Sequence, residues 1–99
     1  MTVFWLLLAC GPTYEDGMVE QGYLYCELLE VCDQLATVGY VSVKSCQSAV
    51  DTQDFAECPK SAYDAESMAQ CLDDWAVAVE EADCDASPEA CMPAQLCPQ

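Results

Sequence analysis

Nine cysteines lie in a chain of 99 residues, and their positions constrain its fold more than any other feature. That density belongs to small exported chains stapled by disulfides. Cys10 stands apart, directly after an apolar run near the N-terminus. The other eight are Cys26, Cys32, Cys46, Cys58, Cys71, Cys84, Cys91 and Cys97. An even set pairs fully in an oxidising compartment, whereas nine would leave one thiol over. Eight cysteines allow about a hundred connectivities. No C-x-x-C pair and no His is present, so the pattern does not fit a zinc site or an iron–sulfur cluster, and no metal ligand is assigned.

The charge is one-sided. Eighteen Asp and Glu face two Lys, Lys44 and Lys60, for a net charge of −16. Nothing is available to neutralise phosphates, so nucleic acid is excluded as a partner. An anionic lipid surface is repelled too, and attachment to a membrane must come from an anchor.

Residues 3–9 are apolar throughout, Val-Phe-Trp-Leu-Leu-Leu-Ala. As a helix they reach roughly 10 Å, about a third of a bilayer core, too short to span it. The run fits the hydrophobic region of a signal peptide. Leu7-Leu8-Ala9-Cys10 resembles the bacterial lipobox. That resemblance implies cleavage before Cys10, a diacylglycerol on its sulfur and acylation of the new N-terminus. The covalent lipid on Cys10 is the only cofactor-like group expected. Such signals begin with a basic stretch, and no Lys or Arg precedes Cys10, so the expected true start lies upstream of Met1. The domain plan is then a cleaved segment at 1–9, the lipidated cysteine and a short tether at 10–17, and a cysteine-rich helical domain at 18–99.

Within that domain, helical periodicity is clear from Met18 to Val38. Tyr25, Leu28, Leu29, Cys32, Leu35 and Ala36 recur at steps of three and four, with Glu20, Glu27, Glu30, Gln34 and Thr37 opposite. Gly39 is the natural stop. On one continuous helix Cys26 and Cys32 point about 120° apart and cannot bond to each other. Ser42 suits the N-cap of a second helix, with Val43, Cys46 and Val50 on one face. Residues 51–60 read as a loop. Asp64 caps a third helix whose apolar side carries Met68, Cys71, Leu72, Trp75 and Val79. Cys71 and Cys84 would stand about 20 Å apart along it and need other partners. Ser87-Pro88 starts a last short helix that Pro93 ends. The fold class expected is all-α: two main helices and one or two short ones, cross-linked by disulfides.

The chain also resembles the small cysteine-rich lipoproteins found in many copies in myxobacteria and related bacteria. The likeness rests on the lipobox, on Tyr25-Cys26 followed by Cys32, on the Ser42-to-Cys46 stretch, and above all on the run from Cys58-Pro59 through Tyr63-Asp64, Cys71-Leu72 and Cys84 to Cys91 and Cys97. It implies a cell-envelope location and no defined activity. Gly11, rather than Asp, follows Cys10, which by the enteric sorting rule implies the outer membrane.

Catalysis finds no foothold. His and Arg are missing, no G-x-S-x-G or phosphate loop occurs, and the carboxylates single out no acid–base pair, so no catalytic residue is assigned and no enzyme is expected. The acidic stretch Glu80, Glu81, Asp83, Asp85 and Glu89 invites comparison with a calcium loop. Pro88 at the glycine position and Ala94 at the final Glu position break that motif. Trp75 is expected in the core, while Tyr23 or Tyr40 can line a surface for an unidentified protein partner. The leading expectation is a lipid-anchored, acidic, disulfide-rich envelope module that binds or coats. The alternatives are a secreted soluble effector or inhibitor with an unmodified Cys10, and a weak divalent-cation binder.

Overall fold

The structure, a computed structural model, describes residues 12–98, so the segment 1–9 read as a signal and the expected lipidation site Cys10 lie outside the described residues. Those residues fold into five helices: α1 (Tyr14–Val31), α2 (Leu35–Val38), α3 (Val43–Asp51), α4 (Ala65–Glu81) and α5 (Pro93–Leu96), with a 3-10 turn at Glu89–Cys91. Among them there is no strand, and the all-α, disulfide-stapled class read from the sequence is what the chain adopts.

α1 is the centre of the molecule. It starts at Tyr14, four residues inside the stretch read as tether. The Thr13 hydroxyl accepts the Asp16 backbone N–H at 3.1 Å, and Glu15 and Asp16 sit in the first turn, where carboxylates favour the helix dipole. The tether reading of residues 14–17 is thus corrected. Gly17 is buried on this first turn, where a Cβ would come within 2.6 Å of the Met68 side chain. The other end also differs from expectation. The periodic stretch does not run unbroken to Val38, because Asp33 adopts a left-handed φ of 55° between α1 and α2. Asp tolerates that conformation better than most residues, and the turn lets Cys32 reach across to Cys84. Gly39, at φ 107°, ends α2 as read from the sequence.

α3 and α4 flank α1 on different sides. Gly22 faces Val50 and Cys26 is bonded to Cys46, so α3 runs antiparallel to α1. Gly17 faces Met68, the Gln21 side chain meets Trp75 and Cys32 is bonded to Cys84, so α4 runs parallel to it. The neighbours Leu28 and Leu29, about 100° apart on a helix, serve the two interfaces separately. Leu28 joins Met68, Cys71, Leu72, Trp75, Ala78 and Leu96; Leu29 joins Cys26, Cys46 and Val50. A helix packed on two sides shows a broad, blurred stripe. Tyr25, read as part of that stripe, is 41% exposed and lays its ring against the edge of Trp75.

The later helices follow their caps. Ser42 and Ser45 form a reciprocal capping box at the start of α3. Asp64 accepts the Ser67 N–H at 3.1 Å at the start of α4. In the tail, the short helix read after Ser87-Pro88 is the 3-10 turn Glu89–Cys91, with Pro88 as its N-cap residue and an end before Pro93. Pro93 then begins a further helix that the sequence reading did not give, α5, because proline fits the first helical position. α5 drops Leu96 into the core at 2% exposure, and the Leu96 carbonyl accepts the Asp64 N–H at 3.0 Å. The tail therefore runs back along α4 to its starting end.

Four disulfides lock this arrangement. Cys26–Cys46 joins α1 to α3, Cys32–Cys84 joins the end of α1 to the turn after α4, Cys71–Cys91 holds the 3-10 turn on α4, and Cys58–Cys97 ties the α3–α4 loop to the tail. Cys26, Cys46 and Cys71 are buried, whereas Cys84 is exposed.

Candidate functional site

The cysteines assigned from the sequence serve the scaffold. All eight within the described residues are disulfide-bonded, so none offers a nucleophile or a metal ligand. Each bridge joins elements distant in sequence, with separations of 20, 52, 39 and 20 residues. Among the described residues no group of three or more His, Cys, Asp or Glu is arranged to hold a metal ion.

What the fold does build is a groove along α1. The segment after α3 turns back over the first half of α1 and leaves a space of about 610 Å³ lined by residues including Tyr14, Glu15, Phe55, Glu57, Pro59 and Lys60. Phe55 also borders a second trough of about 210 Å³ with Met18, Gln21, Gly22, Tyr25, Gln53 and Trp75. Phe55 thus links two shallow hollows that follow one side of α1. The larger hollow sets the rings of Tyr14 and Phe55 beside the charged Glu15, Glu57 and Lys60, and the smaller mixes aromatic and thioether surface with the amides of Gln21 and Gln53. That mixture suits reversible contact with an amphipathic ligand.

Hydrogen bonds fix the walls. The Tyr63 hydroxyl donates to the Pro12 carbonyl at 2.6 Å, and its ring meets Tyr14 edge-on with centroids 5.8 Å apart. Burial, and then the charge of Asp64, raises the Tyr63 phenol above its ordinary value and keeps it a donor. Trp75 Nε1–H donates to Gln21 Oε1 at 3.2 Å. Trp75 is core, as its place on the stripe implied, yet its ring edge closes the smaller trough. On the α3 side, the exposed Tyr23 hydroxyl donates to the Asp51 carboxylate. This hydrogen bond is the main reason its phenol is raised. Tyr23 and Tyr40 pack against the α1–α3 core cluster and line neither hollow.

Sequence reasoning missed Phe55, Gln21 and the two helical glycines. Phe55 lay in a stretch read as loop, where a single aromatic carries no periodic signal. Gly17 and Gly22 are spaced five apart on α1 and mark the two helix contacts, a pattern visible only once α1 is known to pack on two sides. No protein-family model matches the chain, and neither a curated protein nor a solved structure is found to be similar to it.

Proposed function

We propose that this protein is a lipid-anchored, disulfide-stapled module of the bacterial cell envelope, attached through Cys10 to the outer membrane and acting by binding or coating instead of by catalysis. The disulfides themselves belong to a compartment outside the reducing cytoplasm. The observation that supports the anchor is parity. All eight cysteines of the folded domain have found each other, so Cys10, behind Leu7-Leu8-Ala9, is the one without a structural task among them. The groove along α1 is the surface on which such a module would take a ligand. Intact mass of the native protein, with detergent phase partitioning, tests the reading. An N-terminus at Cys10 carrying acyl mass, in the detergent phase, agrees with it. An aqueous protein with an unmodified Cys10 refutes it and favours the secreted effector or inhibitor.

A further inference from the structure

Every element near the start of the described chain gathers at one end of the molecule. Pro12 is held by Tyr63, Tyr14 packs on Tyr63, Cys58 is bonded to Cys97, and the Asp64 N–H is bonded to Leu96. Lys60 lines the groove beside Thr13 and Tyr14 at this same end. The opposite end, roughly 25 Å away along α1, holds Val31, α2, Lys44 at the start of α3, and the turn after α4. The distal acids Asp33, Glu81, Asp83 and Asp85 cluster near the Cys32–Cys84 bridge in sequence and fold.

We infer that the domain stands on the lipid surface with the Pro12–Lys60–Cys97 end toward the bilayer and the Cys32–Cys84 end away from it. This orientation deepens the anchored reading above and rests on it. Only Gly11 separates Cys10 from Pro12, so at most about 7 Å of chain joins the anchor to a residue pinned on the domain. A span that short holds the proximal end against the headgroups. The proximal end is not basic, since Glu15 and Glu57 line the same hollow as Lys60 and Asp16 follows Glu15 in the first turn of α1; the anchor, and not charge, brings it there. Charge decides the tilt. At a net −16 the domain is repelled by anionic headgroups, and standing upright carries the distal acids well beyond the Debye length of about 8 Å. The exposed Val38 and Val41, at 47% and 93%, then face outward, where another molecule meets the protein first.

The two lysines, one at each end, make the orientation measurable. The N-acetylated chain from Cys10 onward is coupled through the Cys10 thiol to a maleimide phospholipid and placed in phosphatidylcholine vesicles containing anionic lipid. A small amine-reactive fluorophore is put on Lys60 in the Lys44→Arg variant and on Lys44 in the Lys60→Arg variant. A nitroxide on the lipid headgroup then quenches nearby probes. The probe on Lys60 is expected to be quenched several-fold more than the probe on Lys44. Equal quenching, as from a domain lying flat, or stronger quenching at Lys44 overturns the orientation. Because the lipid is attached chemically, the result is independent of whether cells acylate Cys10. A failure of the anchored reading is seen separately, as missing acyl mass on the native protein.

Discussion

Replacing Gly22 with alanine opposes two effects of similar size, and the structure decides the sign. In an exposed helix the change stabilises by about 1 kcal/mol through helix propensity. Here the new Cβ would lie 2.7 Å from Val50 Cγ1, 2.8 Å from Cγ2 and 3.3 Å from Cβ. Val50 is 8% exposed and β-branched, so it has little rotamer freedom with which to retreat. Nor can the helices spread easily. Gly22 and Cys26 lie four apart on α1, Cys46 and Val50 four apart on α3, and the Cys26–Cys46 bridge holds its Cα atoms 5.8 Å apart one turn away. Overpacking of this kind costs about 1–3 kcal/mol. Gly22→Ala is therefore expected to destabilise by roughly 1 kcal/mol net once the propensity gain is subtracted. Urea unfolding of the oxidised protein, followed by far-UV circular dichroism, reads this as a lower midpoint at unchanged slope. The diagnostic comparison uses Val50→Ala, which is destabilising by itself but removes both offending methyls. In that background Gly22→Ala is expected to stabilise. A stabilising Gly22→Ala in the parent protein, or the same sign in both backgrounds, would refute the packing argument.

Three further outcomes follow from the same geometry. Under limiting neutral reductant, Cys32–Cys84 is expected to open before Cys26–Cys46, because Cys84 is exposed and Cys26 and Cys46 are not; alkylation and mass mapping report the order. Leu96→Ala is expected to cost about 2–5 kcal/mol in denaturant unfolding, since Leu96 is 2% exposed and plugs the α1–α4 core; a loss below that range would mean the tail is not docked. Asp64→Ala is expected to lower the denaturant midpoint at neutral pH by removing the α4 cap. Hydrogen bonding from the Ser67 backbone holds the Asp64 carboxyl below its ordinary 3.8, so its contribution is present above that value and fades as pH falls through the lower folded value. The gap between parent and variant should close in acid, and a gap that widens there would contradict the cap.

The parts legible in the sequence are those with local causes. Ser42 and Asp64 announce their helices because an N-cap needs only a side chain and a backbone N–H three residues on. The stripe Met68, Cys71, Leu72 and Trp75 is clear because α4 buries one face, and periodicity then shows it. α1 was harder, because it packs on both sides and its buried residues do not share a single stripe. Its start also sits in a stretch whose Pro12 and Gly17 look like linker residues. Thr13 followed by Glu15 and Asp16 carried a usable cap signal there. The pairing of the cysteines depends on which helices become neighbours, so local spacing excluded Cys26–Cys32, spoke against Cys71–Cys84 and went no further. Phe55 and Leu96 act through contacts with elements far away in sequence, and a lone apolar residue between prolines or polar residues does not reveal them.

Four bridges pair all eight cysteines of the described residues, and the proposed anchor requires that Cys10 take no part in them. Peptide mass mapping of the native protein under non-reducing conditions tests this most directly. The expected linked peptides are Cys26–Cys46, Cys32–Cys84, Cys58–Cys97 and Cys71–Cys91, with Cys10 absent from every cross-linked pair. A peptide joining Cys10 to any of the eight would contradict both the fold's wiring and the anchor proposed from it.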